Sequence, residues 1–141
     1  MPKVFLDTNV LVYQLDKRYP AKQRVARELI RDRAHKGEAV ISTQVLQEFY
    51  VVATAKLKVD PVLAKAIMTR FTNMEVVTVS TELIEEAADI NVQSGASFWD
   101  SLIVAAAASA NCDRLLTEDL ADGSTIRGVG VQNPFARASG H

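Results

Sequence analysis

The sequence predicts an α/β fold, in which helices cover both faces of a parallel β-sheet, in a single domain spanning residues 1–141. Two observations predict it. Short aliphatic runs alternate along the chain with longer amphipathic segments, and such strands and helices are joined by right-handed crossovers. The 141 residues suffice for one compact domain and are too few for two ordinary ones.

The strands are predicted from brief apolar runs that end in polar or helix-capping residues. Four such runs cover residues 3–7, 39–42, 76–79 and 114–117, and a weaker fifth lies at residues 129–131. In an open sheet of this kind, ligands bind beyond the carboxyl ends of the strands. Polar residues at those ends are therefore the first place to look for a site.

The helices are predicted from amphipathic stretches bounded by capping residues. A short helix starts near Asn9, and a longer one runs from Pro20 to about residue 35, with Gly37 beyond its end. The next begins at residue 42 or 43 and reaches about residue 56. Three more follow, from residues 60–61 to about 71, from residue 80 to about 95, and from residue 97 through an alanine-rich stretch to residue 110.

Four carboxylates fall near the predicted strand ends. Asp7 closes the first strand, Asp119 follows the fourth, Asp100 opens the alanine-rich helix, and Glu48 lies in the helix after the second strand. Three of these have a purely structural interpretation too. Asp7 fits a helix N-cap, Asp100 fits a capping box with Ser97, and Asp119 fits a solvated acidic loop with Glu118 and Asp122.

Glu48 is the hardest of the four to explain structurally. Val45, Phe49 and Val52 define the apolar stripe of its helix, and Glu48 lies on that stripe or at its margin. A carboxylate there costs several kcal/mol of desolvation unless it has a partner. A cation at the edge of the sheet is such a partner.

Cysteine and histidine are too scarce for a zinc site. Cys112 is the single cysteine, so no internal disulfide forms, and the histidines are His35 and His141. Residues 4–6 are too few for a signal-peptide core, and the longest apolar run, residues 102–108, is too short to cross a bilayer. We therefore expect a cytoplasmic protein with no membrane segment, whose metal is held by oxygen.

Four converging carboxylates require a compensating positive charge, since two of them about 4 Å apart repel by roughly 4 kcal/mol at an effective dielectric near 20. All-oxygen coordination favours Mg²⁺ or Mn²⁺. Such an ion activates water and stabilises charge on a phosphoryl group, and a second ion about 3.5–4 Å away clamps the leaving oxygen. Phosphodiester hydrolysis, with one ion or two, is the chemistry this predicts.

Four ordered segments resemble the PIN-domain family, particularly the VapC-type toxins of bacterial toxin–antitoxin pairs. They are FLDTNVL at residues 5–11, STQVLQEF at 42–49, FWDSLI at 98–103 and LLTEDL at 115–120. The tail from residues 122–123 through 131–135 is similar to a subset of the family. No single segment is distinctive, but together they span almost the whole chain in order.

The resemblance implies a three-layer sandwich around a five-stranded parallel sheet of order 3-2-1-4-5. It implies an endoribonuclease that uses Mg²⁺ or Mn²⁺, forms a homodimer and is inhibited by a cognate antitoxin. Asp7, Glu48, Asp100 and Asp119 match the acidic site. By this resemblance Asp7 and Asp100 bind the metal, and Glu48 and Asp119 complete the shell directly or through water. Glu118 and Asp122 compete for the fourth position, and Thr8, Asn9, Ser42 and Thr117 are similar to its supporting polar residues.

Residues 17–36 carry eight Lys/Arg against two acids, whereas the rest of the chain is acidic. On a helix, Arg24, Arg27 and Arg31 share one face, which is suited to holding RNA phosphates. We favour the alternative of a solvated face with Arg24–Glu28 and Asp32–Lys36 pairs. Trp99 and Tyr13 are candidates for base stacking, although for Trp99, beside Asp100, buried packing is the favoured interpretation.

Two other functions remain open. A haloacid-dehalogenase-like phosphatase also begins with a strand ending in Asp, but it expects a second Asp where this chain has Asn9, and no suitable Lys is evident. A catalytically inactive PIN-fold module that binds RNA or protein is the other alternative. Retention of all four acids argues against it, because converging charges are costly without a metal.

Overall fold

The protein, described here from a computed structural model covering residues 2–137, contains six strands and six helices within that range. The strands are β1 Val4–Leu6, β2 Ala39–Ser42, β3 Glu75–Val77, β4 Arg114–Leu116, β5 Thr125–Ile126 and β6 Val129–Gln132. The helices are α1 Thr8–Tyr13, α2 Pro20–His35, α3 Thr43–Ala55, α4 Pro61–Phe71, α5 Thr81–Ser94 and α6 Phe98–Ser109.

The strands form one sheet of order β3-β2-β1-β4-β6-β5. The pairs β2–β3, β1–β2, β1–β4 and β4–β6 are all parallel. These five strands reproduce the predicted order 3-2-1-4-5, with β6 in the fifth place. The predicted α/β fold with a mostly parallel sheet is confirmed.

The predicted strand number was wrong, because β5 adds a sixth, antiparallel strand beyond β6. The two strands are joined through Arg127 and Gly128, which have φ angles of 52° and 79°. Positive φ at both central residues is typical of a tight hairpin turn. A strand of two residues is too short to show an alternating pattern. The turn has Arg127 where Asn or Asp usually precedes the glycine of such a hairpin, so the hairpin could not be predicted from the sequence.

Capping residues place the helices where the sequence predicts them. Ser42, Asp60, Ser80 and Ser97 each accept a hydrogen bond from a backbone N–H in the first turn of the following helix. Helix α5 ends at Gly95, whose φ of 77° is a left-handed conformation that glycine adopts without steric cost. These caps fix where α3 and α6, the helices carrying Glu48 and Asp100, begin.

The core lies between the central strands and the helices. Phe5, Leu6 and Leu115 of β1 and β4 are inaccessible or nearly so, and residues 101–107 of α6 are all buried. Small alanine side chains let α6 pack closely on the sheet and against α5. The buried part of α6 begins at Ser101, directly after the first turn that carries Asp100.

Within residues 2–137, no helix combines the length and apolar character required to cross a membrane. Cys112 is buried and has a free thiol. His35 is exposed on the last turn of α2, and His141 lies outside the described residues.

Candidate metal centre

The carboxyl ends of β1 and β4 place the first acid of the site. Leu6 and Leu116 are register partners in parallel strands, and the Asp7 N–H donates to the Leu116 carbonyl at 3.1 Å. Asp7 and Thr117 therefore leave the sheet side by side. The chain then turns into α1 after Asp7 and into the loop containing Asp119 after Thr117.

Asp7, Asp100 and Asp119 converge at this edge of the sheet. One carboxylate oxygen from each lies within 4.8 Å of the other two. Asp7 is buried, Asp100 is half-buried and Asp119 is exposed, so the group opens towards solvent on the Asp119 side. Residues far apart in sequence thus meet in one pocket, as the strand-end positions predict.

Asp7 is 5% exposed and serves as the N-cap of α1. Its Oδ1 accepts from the Thr8 N–H at 2.7 Å, and its Oδ2 accepts from the Thr117 hydroxyl at 2.8 Å. Burial raises the pKa of Asp7 from 3.8 to about 7, against the lowering effect of these two hydrogen bonds. The nearby charges of Asp119 and Glu48 raise it further.

Asp100 lies in the first turn of α6, and its N–H donates to the Ser97 Oγ at 3.1 Å. This is one half of the predicted capping box; the return hydrogen bond from the Ser97 N–H to the Asp100 carboxylate does not form. Desolvation raises its pKa, hydrogen bonding with Ser97 lowers it, and the charges of Asp119 and Glu48 raise it. The backbone of Asp100 thus belongs to the helix cap, and its carboxylate lies among the converging acids.

Of the three competing acids in the β4–β5 loop, the structure brings Asp119 into the group. Glu118 lies outside the group and pairs with Lys22 at 3.0 Å. Asp122 accepts a hydrogen bond from the Asn133 N–H at 2.8 Å. Each of the two competitors is thus engaged in a different contact.

Glu48 stands beside the three aspartates and is half-buried, at the margin of the apolar stripe of α3. Its Oε1 accepts from the Thr8 hydroxyl at 2.6 Å, and its Oε2 accepts from Gln44 Nε2 at 3.2 Å. Thr8 bridges the two acids, since its N–H binds Asp7 while its hydroxyl binds Glu48. Glu48 is not one of the three acids whose oxygens lie within 4.8 Å of one another, but it is near enough for its charge to raise the pKa of Asp7 and of Asp100.

A family model described as PIN domain matches residues 4–121. The chain belongs to the PIN-domain family. The matched range contains all four predicted site acids. No curated protein sequence matches the chain significantly.

Solved structures support the PIN fold. A toxin–antitoxin complex from Klebsiella pneumoniae matches with a TM-score of 0.70 at 20% identity, covering 94% of this chain and 98% of that one. DNA-bound VapBC from Salmonella typhimurium gives 0.69 at 21%, covering 95% and 99%. Mycobacterium tuberculosis VapC20, a sarcin-ricin loop cleaving toxin, gives 0.65 at 19%, covering 89% and 98%. At these identities the likeness shows the shared fold.

Polar side chains of this PIN domain tie the acids to one another. Asn9 Nδ2 donates to Asp119 Oδ2 at 3.0 Å and to Thr117 Oγ1 at 3.1 Å, and the Asp119 N–H also donates to Thr117 Oγ1 at 3.0 Å. Thr8, Asn9 and Thr117 thus contact acids of the site directly. Ser42 is buried and caps α3 through the Val45 N–H, so it orients the helix that carries Glu48 rather than a carboxylate.

The donor set fits a hard divalent cation. Among residues 2–137, no lysine or arginine forms an ion pair with Asp7, Asp100, Asp119 or Glu48. The buried Asn9 Oδ1 and Gln44 Oε1 also have no hydrogen-bond partner from the protein. Acids that repel one another, beside orphaned oxygen acceptors, provide the oxygen ligands that Mg²⁺ and Mn²⁺ prefer.

A cleft of about 610 Å³ extends from the acids between α1 and α3. Glu48 and Asp119 line one end, valines and a leucine line its walls, and Arg18 and Lys56 contribute positive charge. Arg18 is held by the buried Asp16 through two hydrogen bonds of 2.9 and 2.8 Å. Neither cation was predicted as a site residue, because nothing in the sequence around Arg18 or Lys56 indicates that they line the same cleft.

The structure places the two aromatic residues that are candidates for base stacking in different surroundings. Trp99 is 63% exposed and packs edge-on against Phe98, so the prediction of buried packing was wrong. Its position in the first turn of α6 leaves the ring beyond the core. Tyr13 is partly buried and packs against Tyr19 and Phe135.

The basic face of α2 is solvated. Arg24, Arg27 and Arg31 are exposed, and Arg27 Nε donates to the Gln14 carbonyl at 3.0 Å. The predicted Asp32–Lys36 pair forms at 3.3 Å, whereas the Arg24–Glu28 pair does not. The three arginines are not part of the cleft that reaches the acids.

Proposed function

We propose that this protein is a Mg²⁺- or Mn²⁺-dependent endoribonuclease that acts as the toxin of a toxin–antitoxin pair. The observation that carries the proposal is the convergence of Asp7, Asp100 and Asp119 within 4.8 Å at the carboxyl edge of a PIN-type sheet. Glu48 stands next to them, and no cationic side chain of the described residues neutralises the group. Such an arrangement is costly unless a divalent cation binds there.

In this proposal Asp7 and Asp100 hold the cation, while Glu48 and Asp119 complete its surroundings directly or through water. A bound divalent cation supplies an activated water and neutralises the charge that develops on the phosphoryl oxygens. Thr8, Asn9 and Thr117 fix the carboxylates by hydrogen bonding, which keeps their oxygens aimed into the pocket. The exposed side at Asp119 admits the phosphodiester.

RNA as the substrate is supported by one structural neighbour, which is described as a sarcin-ricin loop cleaving toxin. An antitoxin partner is supported by the neighbours from Klebsiella and Salmonella, which are toxin–antitoxin complexes. We propose the same for this chain, together with a homodimer and a cytoplasmic site of action, where an RNA-cleaving toxin inhibits translation and growth.

The test is incubation of purified protein with total RNA in Mg²⁺ or Mn²⁺, followed by mapping of the new RNA ends. We expect discrete ends from the wild type and none from Asp7→Asn, which replaces a carboxylate by a neutral side chain of the same shape. EDTA should abolish cleavage by the wild type. Glu75→Gln, an exposed acid of β3 far from the cluster in the sheet order, is the matched control and should cleave normally.

Cleavage that persists both in EDTA and in Asp7→Asn contradicts the proposal. Absence of cleavage by the wild type, with no change in thermal stability on addition of Mn²⁺, contradicts it as well and favours a PIN-fold binding module.

A further inference from the structure

Glu118 and Asp119 are consecutive residues of the β4–β5 loop that have different partners, although both line the cleft. Asp119 faces the acidic group, whereas Glu118 faces α1 and α2. The Tyr13 hydroxyl donates to Glu118 Oε1, and Lys22 Nζ donates to Glu118 Oε2 at 3.0 Å. The β4–β5 loop is thus attached to both helices at the residue next to the fourth acid.

The Lys22 ammonium group contacts a carboxylate, a hydroxyl and two aromatic rings. Its Nζ also donates to the Tyr13 hydroxyl at 3.2 Å, and it lies 4.8 Å from the Tyr13 ring centroid and 5.4 Å from that of Tyr19. The side chains of Lys22 and Glu118 are only 15% and 23% exposed. Partial burial and cation–π contact make this pair stronger than an ordinary surface ion pair.

The Tyr13 ring is held in place independently of Glu118. It packs edge-on against Phe135 at 4.8 Å and against Tyr19 at 5.8 Å between centroids. Its hydroxyl therefore presents a fixed donor to the loop. Contacts from α1, α2 and the segment after β6 all meet at this one ring.

Asp119, the residue after Glu118, contacts Asn9 through its carboxylate and Thr117 through its backbone N–H. Both residues of the peptide joining positions 118 and 119 are therefore held by hydrogen bonds, Asp119 by Asn9 and Thr117, and Glu118 by Tyr13 and Lys22. Asp119 is the most exposed of the three converging acids. Its carboxylate accepts a hydrogen bond from Asn9, so its position depends on that contact and on how firmly the loop backbone is held.

We propose that Tyr13 and Lys22 are positioning residues for the metal site, which act through Glu118 to hold Asp119 among the converging carboxylates. This inference rests on the proposed function, in which Asp119 contributes to binding the cation. Groups that hydrogen-bond a metal ligand directly alter metal affinity about 10–100-fold when they are changed. Tyr13 and Lys22 are one contact further away, so we expect effects at the lower end of that range.

The test is Mn²⁺ affinity, measured by isothermal titration calorimetry on the full chain. We expect Tyr13→Phe, which keeps the ring packing and removes the donor, to weaken Mn²⁺ binding roughly tenfold. Lys22→Met should have a similar effect, and Lys22→Arg should restore most of the affinity. Tyr50→Phe on α3 and Lys65→Met on α4 make the same chemical changes outside this contact and should bind Mn²⁺ like the wild type.

A double-mutant cycle separates positioning from a general loss of folding. Tyr13→Phe and Glu118→Ala should each weaken Mn²⁺ binding, and the double variant should be no weaker than the weaker single variant, because both break the same contact. Raising Mn²⁺ about tenfold should restore RNA cleavage by Tyr13→Phe. Because Mn²⁺ also stabilises the folded state, the Tm of this variant in EDTA should be compared with that of the wild type, and an unchanged Tm separates positioning from a folding defect.

Two outcomes overturn the inference while leaving the proposed function intact. One is wild-type Mn²⁺ affinity in folded Tyr13→Phe and Lys22→Met. The other is additive losses in the double-mutant cycle. Failure of the wild type itself to bind Mn²⁺ contradicts the proposed function instead.

Discussion

The Thr117 hydroxyl donates to Asp7 Oδ2 at 2.8 Å and so joins two residues that are 110 positions apart in the chain. The Thr117 Oγ1 also accepts hydrogen bonds from Asn9 Nδ2 and from the Asp119 N–H. One fully buried hydroxyl therefore connects β1, α1 and the β4–β5 loop. The spacing of Asp7 and Asp119 is set at this atom.

Replacing Thr117 by valine removes this hydroxyl and preserves the shape of the side chain. We expect the free energy of unfolding to fall by about 2 kcal/mol, because two donors and one carboxylate oxygen lose a buried partner. Mn²⁺ affinity should fall as well. Urea denaturation measures the first effect, with Thr69→Val on the exposed face of α4 as control. Unchanged stability and Mn²⁺ affinity would show that water replaces the hydroxyl.

Replacing Asp7 by asparagine should stabilise the metal-free protein. At pH 8 the charged Asp7 carboxylate is buried and repelled by Asp119 and Glu48, and the amide removes that cost while it still accepts from the Thr8 N–H. We expect a gain of about 2 kcal/mol in EDTA. Mn²⁺ should raise the Tm of the wild type and leave Asp7→Asn unchanged. Equal responses of the two proteins to Mn²⁺ would contradict this prediction.

The stability of the metal-free protein should depend on pH through Asp7. The pKa of Asp7 is about 7 in the folded protein and 3.8 ordinarily, so between these two pH values the folded state keeps a proton on Asp7 that the unfolded chain has lost. This stabilising contribution is complete below pH 3.8 and is lost as the pH rises through 7, amounting to about 4 kcal/mol. Tm values from pH 4 to 8 in EDTA should fall more steeply for the wild type than for Asp7→Asn. Parallel curves would show that Asp7 does not titrate in this range.

The cations that matter for RNA should be those of the cleft rather than those of α2. We expect Lys56→Gln to weaken RNA binding roughly threefold and to flatten its dependence on salt concentration, because Lys56 lines the cleft beside the acids. The combined variant Arg24→Gln, Arg27→Gln, Arg31→Gln should change binding less than twofold. The Kd for RNA is measured as a function of salt concentration with both sets of changes made in Asp7→Asn, which is expected not to cleave. This distinguishes RNA contact in the cleft from RNA contact on α2. The reverse ranking would assign the RNA contact to α2.

Helix ends were predictable from sequence because they depend on local chemistry. Asp60 and Ser80 cap α4 and α5 where expected, since a short polar side chain satisfies free N–H groups of the first turn. The convergence of Asp7 and Asp100 was also predictable. Asp7 follows β1 at the carboxyl edge of the parallel sheet, and α6 leads back to the start of β4, so its first turn lies near that same edge.

Other features depend on contacts that a sequence does not display. Asp119 rather than Glu118 joins the acidic group, because Glu118 is bound by Tyr13 and Lys22. These two residues lie on α1 and α2, about 100 positions earlier in the sequence. Strand β5 pairs through two residues only, too few for a periodic pattern. Trp99 is exposed because it lies in the first turn of α6, ahead of the buried stretch at residues 101–107.

That exposed ring has a practical consequence. Trp99 is the only tryptophan in the chain, and it stands in the turn that carries Asp100. The tryptophan fluorescence of the unlabelled protein therefore reports from a single point, the turn that carries Asp100. Occupancy of the site by a metal, an RNA strand or a protein partner is accessible to an optical titration without any dye.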